Sequence, residues 1–403
     1  MNPAMGGPCQ GIRYMAPMMN DKGIQNTVAC LDDPKASFLG EDPFPIHALG
    51  PAKSSWAYSA MLKPWLLKNL GDFDAVIQHG LWQYPGYALY KVMHSLRKSG
   101  RPDPHWYIYP HGMLDPWFQN AASRRLKAMR NWFYWKIIEN RVIRSADGLL
   151  FTCEEELRLA ATTFRPYRPK MVYNTGYGIP EPPGEPEQQT ENFFKTFQHL
   201  RGRNFLLFLS RIHPKKGVDL LIKAYGELKR QGIFELPHLV ISGPCADPRY
   251  WGHLQSLAVS LKLQNAPIRY QDFQGNSPRS LSNSSDLTWT GMVEGDTKWG
   301  ALRSASVFIL PSHQENFGIA VVEALACGTP VMISNKVNIW REIESDGAGI
   351  VFPDTLQGLL PVLEEYCLNR TIKENKEGKA PREAFNARYT LESAYSELYN
   401  ILM

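Results

Sequence analysis

Two carboxylates eight residues apart flank a stretch that could bind a phosphate. Glu315 and Glu323 lie in the run VFILPSHQENFGIAVVEALACGTPVMIS, which covers residues 307–334. This run predicts a buried strand, a polar loop, a helix and a second buried strand. The first-turn N–H groups at 317–319 would lack intrahelical partners, so they could hold a phosphate, and Gly318 would let it approach closely. The carboxylates would then bind sugar or ribose hydroxyls; the alternative is a plain crossover with two solvated acids.

Two cations follow another predicted strand. Arg211 and Lys216 lie in the segment RIHPKKG, directly after the apolar run FLLFLS at 205–210. A near-continuous apolar run is typical of a parallel strand buried on both faces. Because two fixed cations at a strand-to-helix turn can hold a diphosphate, this loop is a second candidate phosphate site.

A histidine also follows a predicted strand, at Trp106–Tyr109. His111 stands in the segment PHG, and the carboxyl ends of parallel strands face the ligand crevice in open α/β sheets. His111 is therefore a candidate site residue. The alternative is a structural histidine that only donates and accepts hydrogen bonds.

A D-x-D motif, Asp72-Phe73-Asp74, could indicate metal-dependent chemistry. It immediately precedes the predicted strand at 75–78, where such residues commonly end a helix or turn, so we favour the structural interpretation. No His/Cys cluster has zinc spacing. We expect no metal site.

The elements that must position these residues alternate between strand and helix in both halves of the chain. That alternation indicates open α/β sheets of the doubly wound kind, and 403 residues are enough for two domains. The predicted elements of the first half are strands near 24–30, 75–78, 106–109 and 148–152, and helices at 10–20, 59–68, 86–98, 121–144 and 154–161.

Composition marks the domain boundaries. Proline, glycine and glutamate concentrate in GYGIPEPPGEPEQQTENFFKTFQ, at 176–198, as in an interdomain connector. The polar segment 265–286 predicts a surface insertion. We therefore expect an N-terminal domain, a linker, a second domain and a C-terminal helix, at 1–180, 181–200, 201–385 and 386–403.

The chain begins inside the Gly-rich loop that normally follows the first strand of a doubly wound domain. Either the true start lies upstream, or this domain lacks a central strand. The sequence thus predicts an N-terminal sheet without its first strand.

Charge and cysteine usage limit the class of protein. A net charge of +5 suits anionic small molecules or a membrane surface better than nucleic acid, and basic residues are spread over both halves. The six cysteines are scattered without a CxxC pair, as in a reducing cytoplasm. The sequence shows no signal peptide and no apolar run of about 18–20 residues. We expect a cytoplasmic protein.

The predicted helix at 121–144 mixes basic and aromatic residues. Such a helix can lie on an anionic membrane, at the inner face of the plasma membrane. Alternatively, its aromatics face the core and its charges are solvated. The residues concerned are Arg124, Arg125, Lys127, Arg130, Lys136, Arg141, Arg144, Trp132, Phe133, Tyr134 and Trp135.

Taken together, the motifs resemble retaining glycosyltransferases of family four, of the bacterial polysaccharide-biosynthesis type. In that family an R-x4-K pair follows the first strand of the second domain, and E-x7-E opens a later helix. The likeness runs along nearly the whole chain, through MGGP, HGLWQYP, PHGML, LSRIHPKKG, TGMVEGDTK, HQENFG and ALACGTPV. It implies the GT-B fold: two doubly wound Rossmann-like domains, a deep cleft between them, and a C-terminal helix that crosses back to the N-terminal domain.

The resemblance assigns the diphosphate of a nucleotide-sugar donor to the second domain. Arg211 and Lys216 would hold it, and backbone groups at Phe317, Gly318 and Ile319 would complete the cradle.

The resemblance also assigns the rest of the donor. Glu315 would contact the transferred sugar and Glu323 the ribose hydroxyls. Val293 and Lys298 match positions that line the nucleobase pocket.

In the N-terminal domain, the resemblance implies that His111 lies beside the donor sugar and that the Gly6-Gly7 loop closes over diphosphate and acceptor. The family's usual P-N-G before the linker is replaced here by YNTG at 173–176.

The implied activity is transfer of a hexose from a UDP- or GDP-sugar to a saccharide or lipid-linked acceptor, in cell-surface polysaccharide biosynthesis. The leaving diphosphate needs charge stabilisation, and fixed cations with a helix dipole supply it without a metal or other cofactor. The family implies retention through a front-face path. The alternatives are a nucleotide-sugar epimerase, which needs no acceptor, a glycan phosphorylase, which needs pyridoxal phosphate and a lysine, a catalytically impaired scaffold, and a nucleic-acid binder.

Overall fold

The structure is a computed structural model that describes residues 1–3, 6–121, 124–233, 236–264, 270, 285–368 and 379–403. The chain divides into two compact units, Met1–Pro180 with Arg388–Met403, and Glu181–Ala387. The predicted surface insertion at 265–286 lies almost entirely outside the described residues.

The first unit contains two parallel sheets. One is the pair β1-β2, and the other has the order β3-β4-β5-β6. In the described part of this unit, the two sheets share no strand pairing. The strands are β1 Val28–Cys30, β2 Ile46–Ala48, β3 Ala75–His79, β4 His105–Tyr109, β5 Gly148–Phe151 and β6 Val172–Asn174.

Helices cover the sheets of the first unit, and its core consists of apolar strand and helix residues. They are α1 Gly7–Asp21, α2 Leu62–Asn69, α3 Tyr84–Ser99, α4 Trp117–Asn120, α5 Arg125–Tyr134, α6 Asn140–Ser145 and α7 Glu154–Thr163. Strands β4 and β5 are central, so Ile108 and Leu149 are fully buried, packed with Val92 of α3. The helix predicted at 121–144 is interrupted, because Trp135–Glu139 forms a π-helical turn between α5 and α6.

The second unit contains one six-stranded parallel sheet in the order β12-β11-β10-β7-β8-β9. This is the predicted doubly wound arrangement: strands are added on one side of β7 and then, from β10 onwards, on the other. The strands are β7 Phe205–Leu209, β8 His238–Ser242, β9 Leu287–Gly291, β10 Val307–Leu310, β11 Val331–Ser334 and β12 Gly349–Phe352.

One helix of the second unit lies where the sequence predicts a linker. They are α8 Pro186–Thr196, α9 Val218–Arg230, α10 Pro248–Ser260, α11 Gly295–Ser304, α12 Ile319–Ala326, α13 Trp340–Ser345, α14 Leu356–Leu368 and α15 Lys379–Arg388. Helix α8 occupies most of the predicted linker. It is a packed helix, because it buries Gln189 and Phe193, and a Cβ on Gly300 of α11 would lie 2.1 Å from the Gln189 carbonyl.

The last helix, α16 Leu391–Leu402, belongs to the first unit. Leu398 packs with Met19 and Leu150, and the Tyr107 hydroxyl donates a hydrogen bond to the Ile401 carbonyl at 3.1 Å. The C-terminal helix therefore returns to the N-terminal sheet, as the resemblance implies.

No helix among the described residues is both long enough and apolar enough to cross a membrane.

Candidate active site

The loops after β7 and β10 meet because these two strands are neighbours in the sheet. Their pairing sets Val307 opposite Leu206. The Lys215 carbonyl in the first loop accepts a hydrogen bond from the His313 N–H in the second, at 2.8 Å. In open α/β sheets, ligands bind where the order of strands reverses, which in this unit is between β7 and β10.

Gly217 makes this close approach possible. Its φ is +69°, and a Cβ there would lie 2.0 Å from the Pro311 carbonyl oxygen. The loop that carries Arg211 and Lys216 is therefore held directly against the loop that carries Glu315.

Lys216 and Glu315 form an ion pair in the structure, through the Lys216 Nζ and the Glu315 carboxylate. Lys216 is buried, and burial lowers the pKa of its ammonium group to about 7; the charges of Lys215 and Arg211 act in the same direction. The Glu315 carboxylate opposes that shift by favouring the ammonium form. We therefore expect Lys216 to carry its charge while the pair is intact.

Helix α12 begins beside this ion pair. Gly318 precedes the helix with φ +82°, and its carbonyl accepts from the Val321 N–H at 2.8 Å. Among the residues that the structure describes, the N–H groups of Gly318 and Ile319 have no hydrogen-bond partner. These two groups lie at the amino end of α12, where Gly318 is buried and Ile319 is half-buried. Phe317, which precedes them, is buried.

The position of Glu315 is fixed by the loop that follows β11. Its N–H donates to the Lys336 carbonyl at 2.8 Å, and its own carbonyl accepts from the Asn338 N–H at 3.0 Å. The carboxylate therefore projects from a backbone held on both sides.

Lys298 and Glu323, predicted at the nucleobase and the ribose, contact each other. The Lys298 Nζ donates to Glu323 at 2.8 Å and lies 4.2 Å from the centre of the Trp299 ring. Both side chains are largely buried. Val293, in the loop between β9 and α11, is half-buried.

In the first unit, His111 contacts a second histidine, His79, which begins the segment HGLWQYP but is not among the site residues predicted from the sequence. Their Nε2 and Nδ1 atoms are 2.9 Å apart, and Tyr109 stacks on both rings at about 5.5 Å. Desolvation lowers the pKa of His79 to about 4, although the residue as a whole is exposed, and lowers that of His111 well below its usual value, with His79 adding to the effect. Both rings are therefore neutral at pH 7, one donating and the other accepting.

The backbone at His111 is held by a buried carboxylate. His111 has φ +51°, a left-handed conformation that is uncommon outside glycine, and the next N–H, of Gly112, donates to Glu156 at 2.6 Å. The other Glu156 oxygen accepts from the N–H and the hydroxyl of Thr152. The sequence feature that could have identified His79 is the His-Gly pair, which occurs at the ends of two strands. No local sequence pattern identifies Glu156.

Gly6 and Gly7 lie at the start of α1. Gly6 has φ +82°, and the Gly7 carbonyl accepts from the Tyr177 hydroxyl at 3.0 Å. A Cβ on Gly11 would lie 2.6 Å from the same hydroxyl. Tyr177 directly follows the segment that replaces the family's P-N-G, and it holds this helix start.

The D-x-D motif lies at the amino end of β3, the end of the strand away from His79. Asp72 ends a 3-10 helix, and the Asp74 carbonyl accepts from the His105 N–H at 2.9 Å. Within the described ranges, no group of three or more His, Cys, Asp and Glu side chains could hold a metal ion.

Comparisons with known proteins bear on the family and the fold. Residues 189–376 match the family model of the glycosyl transferases group 1, and residues 6–175 match that of a glycosyl transferase 4-like domain. Among solved structures, the Anabaena protein HepE in complex with UDP superposes with a TM-score of 0.70 at 15% identity, over 100% of this chain and 96% of its own. That likeness shows the fold.

The fold is that of GT-B glycosyltransferases. Both halves of the chain match glycosyltransferase family models, and the second half matches that of the glycosyl transferases group 1. Curated relatives include an uncharacterized glycosyltransferase of Methanocaldococcus jannaschii, 24% identical over 52% of this chain and 47% of its own length. A D-inositol 3-phosphate glycosyltransferase of Kineococcus radiotolerans is 31% identical over 36% of this chain and 29% of its own. The chain thus spans less than half the length of these relatives.

Proposed function

We propose that this protein is a retaining, metal-independent glycosyltransferase. It moves a hexose from a UDP- or GDP-sugar to a saccharide or lipid-linked saccharide, in the synthesis of a cell-surface polysaccharide. The observation that carries the proposal is the contact between the Arg211–Lys216 loop and the loop that leads into α12, at the point where strand order reverses. The complex of HepE with UDP supports a nucleotide-sugar donor.

The donor diphosphate is the group that this arrangement suits best. Arg211 and Lys216 supply two positive charges, and the N–H groups of Gly318 and Ile319 supply the positive end of a helix. As the sugar leaves, negative charge grows on the diphosphate, and these groups stabilise it without a metal.

The two ion pairs of the site hold its carboxylates in place before the donor binds. A diphosphate would compete for Lys216, which would release Glu315 to accept hydrogen bonds from the sugar hydroxyls. Lys298 would hold the Glu323 carboxylate in place, so that its oxygens can accept hydrogen bonds from both ribose hydroxyls.

Retention follows a front-face path in this proposal. The bond between the anomeric carbon and the phosphate oxygen breaks, and the acceptor oxygen bonds to that carbon on the same face. The acceptor's proton passes to the leaving phosphate oxygen. His111 would hydrogen-bond the transferred sugar.

The acceptor sets where the reaction takes place. We place the protein in the cytoplasm, in peripheral contact with the inner face of the membrane that carries a lipid-linked acceptor. The amphipathic helix α5 motivates this location.

The decisive experiment incubates the full chain with radiolabelled UDP- and GDP-hexoses, with and without EDTA. In a thermal-shift assay, we expect one of the two nucleotides to raise the melting temperature. In the sugar assay, we expect hydrolysis or transfer that continues in EDTA and gives a product with the anomeric configuration of the donor. Arg211→Ala and Lys216→Ala should each lower kcat/KM at least about a hundredfold. Lys223→Ala is the matched control, since Lys223 pairs with Asp219 of its own helix, α9.

Three outcomes would contradict parts of the proposal. Absence of binding to both nucleotides would reject the donor site. Epimerised sugar without transfer would indicate an epimerase. Loss of activity in EDTA would reject the metal-independent reaction.

A further inference from the structure

The outer face of α5 and the following π-helical turn is apolar and exposed. Leu126, Met129, Phe133 and Ile137 are 80%, 56%, 53% and 59% exposed. Their intervals of three, four and four residues place them on one side of the helix. We call these four residues the apolar stripe. Trp132, next to it, is 49% exposed.

The opposite side of the same segment attaches it to the first unit. Trp135 is fully buried, stacks on Phe164 with ring centres 4.7 Å apart, and donates from its indole N–H to the Pro166 carbonyl at 3.1 Å. The interpretation in which the aromatics face the core is therefore right for Trp135 and wrong for Trp132 and Phe133. The apolar stripe is exposed because a different set of residues packs inwards.

The charge around the apolar stripe is of one sign. The exposed cations of this segment are Arg125, Lys127, Arg130, Lys136, Arg141 and Arg144. In the described part of the chain, none of them forms an ion pair with a carboxylate. The segment's own carboxylate, Glu139, is 1% exposed and accepts from the Trp82 N–H on the inner side.

A second basic segment lies against the first. The Lys136 Nζ donates to the Arg165 carbonyl at 2.9 Å, which brings the exposed Arg165 and Arg168 beside the helix. The positive surface is therefore formed by the helix together with residues 165–168. The amphipathic pattern of the helix alone does not predict the contribution of residues 165–168.

We propose that this face is a docking surface for an anionic lipid membrane. The apolar stripe enters the boundary between headgroups and acyl chains, and the surrounding cations bind lipid phosphates. A nucleic acid would pair with the cations but leave the stripe in water, whereas a bilayer accepts both. The inference deepens the proposed function by naming the lipid surface and the residues that meet it. The docking needs none of the residues that we propose to hold the donor.

The test is flotation of the full chain with vesicles of phosphatidylglycerol and phosphatidylethanolamine, compared with vesicles of phosphatidylcholine. We expect binding to the anionic vesicles that weakens as salt rises. One variant combines Arg125→Glu, Lys127→Glu, Arg130→Glu and Lys136→Glu, and a second combines Leu126→Ser, Met129→Ser, Phe133→Ser and Ile137→Ser. Each should weaken partitioning at least about tenfold.

The matched control makes the same change of charge elsewhere on the first unit. Lys22→Glu, Lys63→Glu, Lys68→Glu and Lys98→Glu replace exposed lysines outside this face, and together they should reduce binding far less. Equal loss in the control would show attraction by net charge alone and would overturn the docking surface. Unchanged binding of the serine variant would overturn it as well.

Two further readouts distinguish membrane docking from donor binding and from self-association. Nucleotide-induced thermal shifts should be the same in all three variants and the parent, so a failed donor site and a failed docking surface give different results. In sedimentation velocity without vesicles, we expect the parent and the serine variant to have the same oligomeric state. A dimer that is present in the parent and lost in the serine variant would make the stripe a protein interface instead.

Discussion

At the scale of single residues, the candidate site depends on side chains that hold others in place. His111 has an uncommon backbone conformation, which the Gly112–Glu156 hydrogen bond stabilises, and its ring contacts His79. Glu156 is buried, and its carboxylate accepts hydrogen bonds from the N–H of Gly112 and from the N–H and the hydroxyl of Thr152. We infer that it positions the turn and does not touch a ligand.

Glu156→Gln tests this role. The amide keeps one acceptor oxygen but turns an NH2 group towards N–H donors, so one buried donor loses its partner. We expect a loss of about 1–3 kcal/mol in the free energy of unfolding in urea. In the sugar-transfer assay, kcat should fall more than the KM for donor rises.

Glu154→Gln is the control for that substitution. Glu154 lies in the same first turn of α7 but pairs with Arg158 at the surface, so its replacement should change stability by less than about 0.5 kcal/mol. Equal effects of the two substitutions would mean that Glu156 has no special part in holding the turn.

At the scale of elements, the arrangement of β7 and β10 brings the charged loops together. The loop of Arg211 and Lys216 is separated from Glu315 by about a hundred residues of sequence, yet adjacent strands deliver both to one edge of the sheet. The contact also needs a residue without a side chain at 217, because the Pro311 carbonyl lies where a Cβ would be.

Gly217→Ala should therefore separate the two loops. It combines a strained positive φ with a backbone clash, and we expect it to cost more than about 2 kcal/mol of folding free energy and to abolish the nucleotide-induced thermal shift.

Gly202→Ala isolates the conformational part of that cost. Gly202 has a similar φ of +75°, but a Cβ there would meet nothing within 4 Å. We expect a loss of about 1 kcal/mol and an unchanged nucleotide response. If Gly217→Ala behaves like this control, the close approach of the loops does not matter for binding.

At the scale of the whole molecule, the chain's two ends belong to one compact unit. Helix α16 packs Leu398 against Met19 and Leu150. The packing of the first unit therefore includes α16, although the second unit lies between them in sequence.

Calorimetry of Leu398→Ala tests this organisation. The substitution removes a buried side chain and should cost about 2–5 kcal/mol. Because Leu398 contacts the first unit, we expect one of two unfolding transitions to move to lower temperature while the nucleotide-sensitive transition stays in place. A shift of both together would mean that the two units unfold as one. Met403→Ala, at an exposed position, is the control.

Local sequence signals were enough to identify many of the segments that form strands and helices. The runs FLLFLS, VFIL and PVMIS became β7, β10 and β11, because a strand buried on both faces requires continuous apolar residues. The same local patterns place Arg211, Lys216 and Glu315 at strand ends, and their order along the chain indicated the GT-B fold and the glycosyltransferase family.

Which of these segments are neighbours became visible only in the folded chain. The pairing of β7 with β10, the His79–His111 contact and the bond from Gly112 to Glu156 join residues far apart in sequence. Helix α8 has a buried face only because α11 packs on it, so the proline-rich composition of that stretch suggested a linker instead. The periodicity of apolar residues indicates local hydrogen bonding and which side of a helix or strand is buried. These longer-range contacts depend instead on which surfaces pack together once the chain has folded.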